Sequence, residues 1–181
     1  MCIQSQCVTQ EQCDYIRVYA NYSKPNDDDV YNDADLITKG LYLGNVCAAH
    51  DEQWLIDNDI SVVISVAKEW KPGACRFESL IKQLYYDIDD RNDEDEERVT
   101  RQFDEVARVI DYHIKQEENV LIHCNMGISR STTAVVRYLQ LKYPKKSYNT
   151  LLQLVKQRRP VATPNKLFSR ILISLDSHGD L

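Results

Sequence analysis

Apolar and polar residues repeat along the chain with two periods, one typical of strands and one typical of helices. Short runs rich in β-branched and aromatic residues predict strands at about residues 41–43, 61–66, 83–88 and 119–123. Helical spacing predicts helices at about residues 51–58, 96–115, 131–142, 148–158 and 165–175. This order predicts an α/β fold with a central, mainly parallel twisted sheet of about five strands, flanked by helices.

The helices differ in how well the pattern marks their faces and their ends. The longest has a continuous apolar stripe, formed by Val99, Phe103, Val106, Ile110 and Ile114. The last two begin near residues suited to N-cap positions, Ser147 and Thr163, and prolines follow the helices that precede them.

The first 34 residues have a different character from the rest. Thr9 and Gln12 have the spacing of a capping box, and apolar residues follow at helical spacing, which predicts a helix at about residues 10–20. Residues 21–35 mix Pro25 with five aspartates, a linker-like composition. We therefore divide the chain into an N-terminal extension, 1–34, and one folded domain, 35–177. The extension packs either on its own domain or on a second subunit, where Tyr15, Ile16 and Tyr19 would anchor a homodimer.

Length and charge narrow the class of protein. With 181 residues and 43% hydrophobic content, the chain is long enough for one well-packed core. A net charge of -6 and a pI near 5.2 argue against nucleic-acid or membrane-surface binding, which uses basic faces. The start, Met1 to Gln4, has neither a signal-peptide pattern nor a myristoylation glycine. We expect a soluble intracellular protein in the cytoplasm, with a nuclear location also open.

The six cysteines lie at positions 2, 7, 13, 47, 75 and 124, with no CxxC pair and no zinc-type spacing. In a reducing compartment this pattern predicts free thiols. We expect no metal site and no cofactor, because His123 and Cys124 have no other Cys/His pair near them. A regulatory disulfide on Cys124 stays open, since nothing in the sequence selects a partner for it.

The most informative stretch of the chain is residues 123–131, HCNMGISRS, between a predicted strand and a predicted helix. A strand-loop-helix turn directs several backbone N–H groups and the positive end of the helix dipole at one point, which makes an anion site. Gly127 suits a turn that needs a positive φ, and Arg130 can hold two phosphate oxygens. Such surroundings favour the thiolate form of Cys124.

These residues resemble a known family. HCxxGxxRS is the signature of the cysteine-dependent phosphatases, and the ending GISRS resembles their dual-specificity branch. The resemblance extends to Asp35–Ile37 and residues 41–44 at one end, and to residues 155–160, Pro164, Asn165 and Phe168 at the other, and so covers roughly residues 33–176. It implies a small, stand-alone dual-specificity phosphatase of the protein tyrosine phosphatase superfamily, with residues 35–177 as its catalytic domain.

The motif and the resemblance together suggest a role for each residue of the loop. Cys124 would be the nucleophile and form a phosphocysteine. Ser131 would donate a hydrogen bond to the sulfur, cap the following helix, or do both. His123 would lie beneath the loop and orient Cys124, or be a plain core histidine. The phosphate would be held by Arg130 and by the loop residues Asn125, Met126, Gly127, Ile128 and Ser129.

The general acid has two candidates. The family has an aspartate after an alternating strand and about ten residues before an aromatic residue of the long helix. Counting along the strand gives Asp90, whereas counting back from Phe103 gives Asp93. We favour Asp90, because strand alternation fixes a side chain's direction while loop length varies easily.

Two further groups of charges stay open to two interpretations. Eight carboxylates lie within residues 87–97, either on a solvated surface or at the rim of the pocket, where they would repel polyphosphate and RNA. Arg158 and Arg159 either meet a second phosphate near the mouth of the site or carry charge at a helix C-terminus.

The leading hypothesis is a protein phosphatase that acts on phosphotyrosine and on phosphoserine or phosphothreonine, with a phosphorylated protein as its partner. An RNA 5'-triphosphatase or a phosphoinositide phosphatase is the alternative, disfavoured because none of Asn125, Met126, Ile128 and Ser129 is a lysine. A non-catalytic module that binds phosphoproteins is the third hypothesis. It is disfavoured because both Cys124 and Arg130 are present.

Overall fold

The computed structural model describes residues 8–22, 31–70 and 81–176. Part of the predicted linker, residues 23–30, lies outside these ranges, as do Cys2, Cys7 and Cys75.

The described residues form helices and strands in the predicted alternation. In chain order these are α1 (Gln10–Tyr22), β1 (Ala34–Thr38), β2 (Leu41–Gly44), α2 (Val46–His50), α3 (Glu52–Asp57), β3 (Ile60–Ser65), β4 (Lys82–Tyr85), α4 (Glu96–Lys115), β5 (Asn119–His123), α5 (Arg130–Lys142), α6 (Tyr148–Lys156) and α7 (Lys166–Ser174).

The strands form one sheet in the order β1-β2-β5-β3-β4. β1 is antiparallel to β2, and the other neighbours are parallel, so the predicted mainly parallel sheet is confirmed. The central strand is β5, which pairs with β2 on one side and β3 on the other. Because β5 leads directly into the HCNMGISRS loop, the loop starts from the most enclosed strand of the sheet.

The long helix α4 carries the predicted apolar stripe into the core. Val99, Phe103, Val106 and Ile110 are buried, and Ile114 packs against the same cluster. The Phe103 ring meets the Phe168 ring of α7 edge-on, with centroids 5.1 Å apart. The core therefore joins α4 to α7.

Several elements differ from the sequence prediction. The N-cap of α7 is Asn165, whose side chain accepts the Phe168 N–H, so Thr163 was the wrong choice, whereas Ser147 is confirmed for α6. Strand β4 ends at Tyr85 instead of residue 88. The short helix α2 was not predicted, and it forms because the Asn45 side chain accepts its second and third N–H groups, those of Cys47 and Ala48.

The N-terminal helix packs on its own domain. Its capping box is present, since the Thr9 N–H donates to Gln12 Oε1 at 2.8 Å and the Gln12 N–H donates to Thr9 Oγ1 at 3.2 Å. Ile16 is 3% exposed and belongs to a cluster with Val46. Ile16 was therefore wrong as an anchor of a homodimer, because its own domain buries it. A homodimer contact stays a prediction that depends on the exposed Tyr15 and Tyr19. The domain boundary near residue 34 also stays a prediction.

Two of the cysteines are joined. Cys13 of α1 and Cys47 of α2 form a disulfide with their Cα atoms 5.7 Å apart, so the prediction of free thiols was wrong for this pair. The two positions are 34 residues apart in the sequence. They meet because α1 packs on α2, where Ile16 and Val46 belong to the same buried cluster. Spacing in the sequence cannot reveal such a contact. Cys124 is free.

Candidate active site

The loop between β5 and α5 turns at Gly127, which has a φ of +67°. A Cβ at this position would lie 2.5 Å from Arg159 Nη2 and 2.6 Å from the Gly44 carbonyl oxygen. Only glycine fits here, because the backbone is left-handed and the space beside it is filled.

Cys124 lies at the base of the loop and is 1% exposed. Its Sγ accepts the Gly127 N–H at 3.3 Å and lies 3.3 Å from Ser131 Oγ. The N-cap of α5 is Ser129, not Ser131, so the capping role considered for Ser131 is wrong. The Ser131 hydroxyl instead faces the sulfur.

Arg130, the first residue of α5, is directed by Glu69. Its Nη1 and Nη2 donate to the two Glu69 carboxylate oxygens at 2.8 and 2.7 Å, and Nη1 also donates to the Ile88 carbonyl. The buried Nε has no acceptor among the described residues, and the nearest carboxylate oxygen, Asp90 Oδ2, is 3.6 Å away. One donor of the guanidinium is thus held in place without a hydrogen bond.

Burial and pairing act oppositely on this ion pair. Burial lowers the pKa of Arg130, but the hydrogen bonds that Arg130 donates to Glu69 and the nearby negative charges raise it above its ordinary value. Burial likewise raises the pKa of Glu69, and the bonds from Arg130 outweigh that effect and lower it. Both groups are therefore charged at neutral pH.

The two candidate acids lie in different places. Asp90 Oδ1 accepts hydrogen bonds from Ser129 Oγ and Asn165 Nδ2, both at 2.8 Å, and its other oxygen faces Arg130. Asp93 pairs with Arg91 on the surface, where its side chain is 69% exposed. The structure thus brings Asp90, but not Asp93, to the loop.

His123 is buried at the end of β5, 3% exposed. Burial lowers its pKa to about 3, so the ring is neutral at physiological pH. Its Nδ1 lies 3.2 Å from the Cys124 carbonyl oxygen. In the neutral ring Nδ1 must carry the proton to donate this bond, which fixes the tautomer and the backbone at the cysteine.

Arg159 lies behind the loop and not at its mouth. It is fully buried, and it donates to the Gly127 carbonyl at 2.7 Å and to Asp35 Oδ2 at 2.7 Å. The suggestion that Arg159 contacts a second phosphate was wrong, because its guanidinium forms hydrogen bonds with the loop and with β1 instead. Arg158 is exposed.

The acidic segment combines both of its suggested characters. Most of its carboxylates are exposed or partly exposed, and some have structural partners, such as Asp95, whose side chain caps α4, and Asp89, which pairs with Lys68. Asp90 alone among the eight has an ion pair with Arg130. The segment therefore borders the loop with negative charge.

The sequence did not reveal Glu69 and Trp70, which form hydrogen bonds with the side chains of Arg130 and Asn125. Trp70 Nε1 donates to Asn125 Oδ1 at 3.1 Å, next to the Glu69 contact with Arg130. Both residues come soon after β3, which is parallel to β5. The signal was available, because the carboxyl ends of neighbouring parallel strands meet at one edge of a sheet.

Comparison with known proteins gives one family. The sequence profile described as "Dual specificity phosphatase, catalytic domain" matches residues 41–178. The chain is 35% identical over 145 residues to "Dual specificity protein phosphatase 1" of Arabidopsis thaliana, covering 80% of this chain and 70% of that protein. It is 34% identical over 136 residues to "Dual specificity protein phosphatase 1B" of the same plant, covering 75% of this chain and 77% of the relative.

Solved structures share the fold. The crystal structure of DUSP15 superposes with a TM-score of 0.71 and 28% identity, covering 80% of this chain and 87% of that one. Human DUSP28, at 23% identity and a TM-score of 0.70, covers 81% and 95% and supports the fold alone. Among the residues that the structure describes, no helix is both long and apolar enough to cross a membrane.

Proposed function

The chain belongs to the dual specificity phosphatase family, and on that premise we propose that Cys124 attacks the phosphorus of the substrate while Asp90 protonates the leaving oxygen. The protein is a phosphatase of phosphotyrosine and of phosphoserine or phosphothreonine. The observation that carries the proposal is the pair of polar groups at the Cys124 sulfur, the Gly127 N–H and the Ser131 hydroxyl, both at 3.3 Å.

In the first step, the Cys124 thiolate forms a bond to phosphorus as the bond from phosphorus to the leaving oxygen breaks. Asp90 gives its proton to that oxygen, so the alcohol or phenol leaves neutral. The support for Asp90 is its bond from Ser129 Oγ and its distance of 3.6 Å to Arg130. Asp93 has no such contact, since it pairs with Arg91.

In the second step, water attacks the phosphocysteine and its proton goes to the Asp90 carboxylate, as the bond from sulfur to phosphorus breaks. Inorganic phosphate leaves and the Cys124 thiolate is restored. A hydrogen bond from Ser131 stabilises the departing thiolate, and the contact of 3.3 Å between the two side chains supports this role.

Arg130 and the loop N–H groups of residues 125–130 hold the phosphoryl oxygens throughout both steps. The Arg130 Nε donor, buried and without an acceptor among the described residues, is the support for this assignment. Glu69 binds the other edge of the guanidinium and keeps it oriented. His123 positions the backbone of Cys124 and exchanges no proton in the reaction.

An RNA 5'-triphosphatase or phosphoinositide phosphatase activity has no specific observation in its favour. Asp90 borders the site, and the other seven carboxylates of residues 87–97 lie in the same segment of the chain. Their negative charge opposes a polyphosphate or polyanionic substrate. A phosphorylated protein is the substrate that this charge allows.

The predicted cytoplasmic or nuclear location stays a proposal. The Cys13–Cys47 bond weighs against it, because disulfides are uncommon in reducing compartments. Fluorescence imaging of the tagged full chain in its own cells would decide the compartment.

Phosphate release from a phosphotyrosine peptide and a phosphothreonine peptide tests the function, with 5'-triphosphorylated RNA measured in parallel. We expect turnover of both peptides in the presence of a metal chelator, and none by Cys124→Ser. Turnover of the RNA with no turnover of either peptide would overturn the substrate assignment. Tight peptide binding without turnover would instead support the third hypothesis, a non-catalytic module that binds phosphoproteins.

A further inference from the structure

A pocket of about 380 Å³ lies between the N-terminal helix and the catalytic loop. Its lining residues are Glu11, Gln12, Tyr15, Ile16, Trp70 and Asn125. Asn125 directly follows the nucleophile, and it accepts a hydrogen bond from Trp70 Nε1 at 3.1 Å. A side chain in this pocket would therefore belong to a substrate residue close to the phosphorylated one.

The helix that forms one wall of this pocket is fixed to the domain. Ile16 is 3% exposed, the Cys13–Cys47 disulfide joins α1 to α2, and Arg17 Nε donates to Asp33 at 3.2 Å. Three independent attachments hold the helix before any substrate arrives, so the wall is preformed.

The groups that line the pocket are those that bind a cation with an apolar stem. Tyr15 and Trp70 provide aromatic rings, Ile16 provides an apolar wall, and Glu11 provides an exposed carboxylate. Among the described lining residues there is no lysine or arginine to compete. Aromatic faces and a carboxylate attract an ammonium or guanidinium head, while its methylene stem covers apolar surface.

We propose that this pocket binds a lysine or arginine side chain of the phosphoprotein substrate, within a few residues of the phosphorylated position. The proposal rests on the phosphatase function above and adds a sequence preference to it. The negative charge of the whole chain, -6, acts in the same direction. A favourable aromatic and carboxylate contact of this kind corresponds to roughly a three- to tenfold gain in affinity.

Binding to the inactive Cys124→Ser variant tests the pocket apart from turnover. A phosphotyrosine peptide with alanines around the phosphoresidue is compared, by fluorescence polarisation, with peptides that carry one arginine at each flanking position in turn. We expect tighter binding, about three- to tenfold, with the arginine at one or two of the positions. Adding Glu11→Gln or Tyr15→Ala to Cys124→Ser should remove this gain and leave binding of the alanine peptide unchanged.

The control is Glu52→Gln, the same charge change at an exposed residue of α3 outside the pocket, which should keep the arginine preference. Equal affinity for all peptides, or a preference that survives both pocket variants, would overturn the proposal. Concentration-dependent dimerisation that Tyr15→Ala abolishes, with no arginine preference, would assign the pocket to a second copy and overturn it too. Hydrolysis of p-nitrophenyl phosphate by the protein with native Cys124 tests the catalytic proposal separately, because that substrate has no flanking residues.

Discussion

The Glu69 carboxylate accepts two hydrogen bonds from the Arg130 guanidinium, at 2.8 and 2.7 Å, across 61 residues of sequence. The contact joins the segment after β3 to the helix after β5. It uses Nη1 and Nη2 and leaves Nε without an acceptor among the described residues. Glu69 therefore holds the arginine in one orientation, and it leaves Nε for the phosphate oxygen in the proposed mechanism.

Changing Glu69→Gln tests this orienting role. The neutral amide cannot hold both nitrogens as the carboxylate does, so Arg130 should meet the phosphate less well aligned, and kcat should fall about tenfold with a smaller change in KM. Steady-state kinetics on a phosphotyrosine peptide measure both constants. Glu52→Gln is the matched control and should behave as the wild type. A rise in kcat/KM would mean that Glu69 competes with the substrate for Arg130.

Replacing each candidate acid by asparagine tests which of the two, Asp90 or Asp93, is the general acid. Asp90→Asn should lower kcat by roughly 100- to 1,000-fold, because the leaving oxygen loses its proton donor. Asp93→Asn removes a surface pair with Arg91 and should leave kcat unchanged. The same peptide assay serves for both variants. A large loss in Asp93→Asn with a small loss in Asp90→Asn would contradict the assignment.

The neutral, buried His123 makes stability depend on pH. Its folded pKa is about 3, well below the unfolded value of about 6.5. At a pH above the unfolded pKa, His123 is neutral in both states, and its contribution to the free energy of unfolding is at its most favourable. As the pH falls from the unfolded pKa toward 3, His123 binds a proton in the unfolded chain but not in the folded one. The free energy of unfolding should therefore fall by up to about 1.4 kcal/mol per pH unit because of this residue.

Urea unfolding at about pH 7.5 and about pH 5 measures this slope. Between these two values the unfolded histidine takes up its proton, while most carboxylates are still ionised. His123→Asn, which can still donate to the Cys124 carbonyl, should show a smaller loss of stability between the two values. Burial also lowers the pKa of His50, so part of the slope should persist in the variant. An unchanged slope would show that His123 is protonated in the folded protein.

The Cys13–Cys47 disulfide should stabilise the docked N-terminal helix. Closing a loop of this length is worth about 2–4 kcal/mol. A reductant should therefore lower the unfolding midpoint of the wild type and leave that of the double variant Cys13→Ala/Cys47→Ala unchanged. Equal midpoints of the wild type with and without reductant would mean that the bond contributes nothing to stability.

The strands, the long helix and the loop followed from the sequence because each is specified locally. The apolar run from Val120 to Ile122 is typical of a buried strand, and the stripe from Val99 to Ile110 fits one helical face. The loop residues 123–131 are contiguous in the sequence, so the signature motif was enough to predict them as the candidate site. Even the capping box of Thr9 and Gln12 was visible, since both partners lie within one turn.

The contacts that the sequence did not reveal join distant segments. Glu69 reaches Arg130 over 61 residues, and Cys13 reaches Cys47 over 34. The sequence left two interpretations of Arg159 open, contact with a second phosphate or charge at a helix C-terminus. The residue is instead buried, because the Gly127 carbonyl and Asp35 together accept its hydrogen bonds. The Cys13–Cys47 and Arg159 contacts depend on how the helices pack on the sheet, which periodicity does not specify.

The most direct test of the catalytic account is the mass of the protein quenched in acid during turnover of a phosphotyrosine peptide. We predict a species heavier by one phosphoryl group, with the group on the peptide fragment that contains Cys124. It should accumulate further in Ser131→Ala, where the sulfur departs without its hydrogen bond. Turnover that continues in Cys124→Ser, or a phosphoryl group found on another residue, would contradict the account.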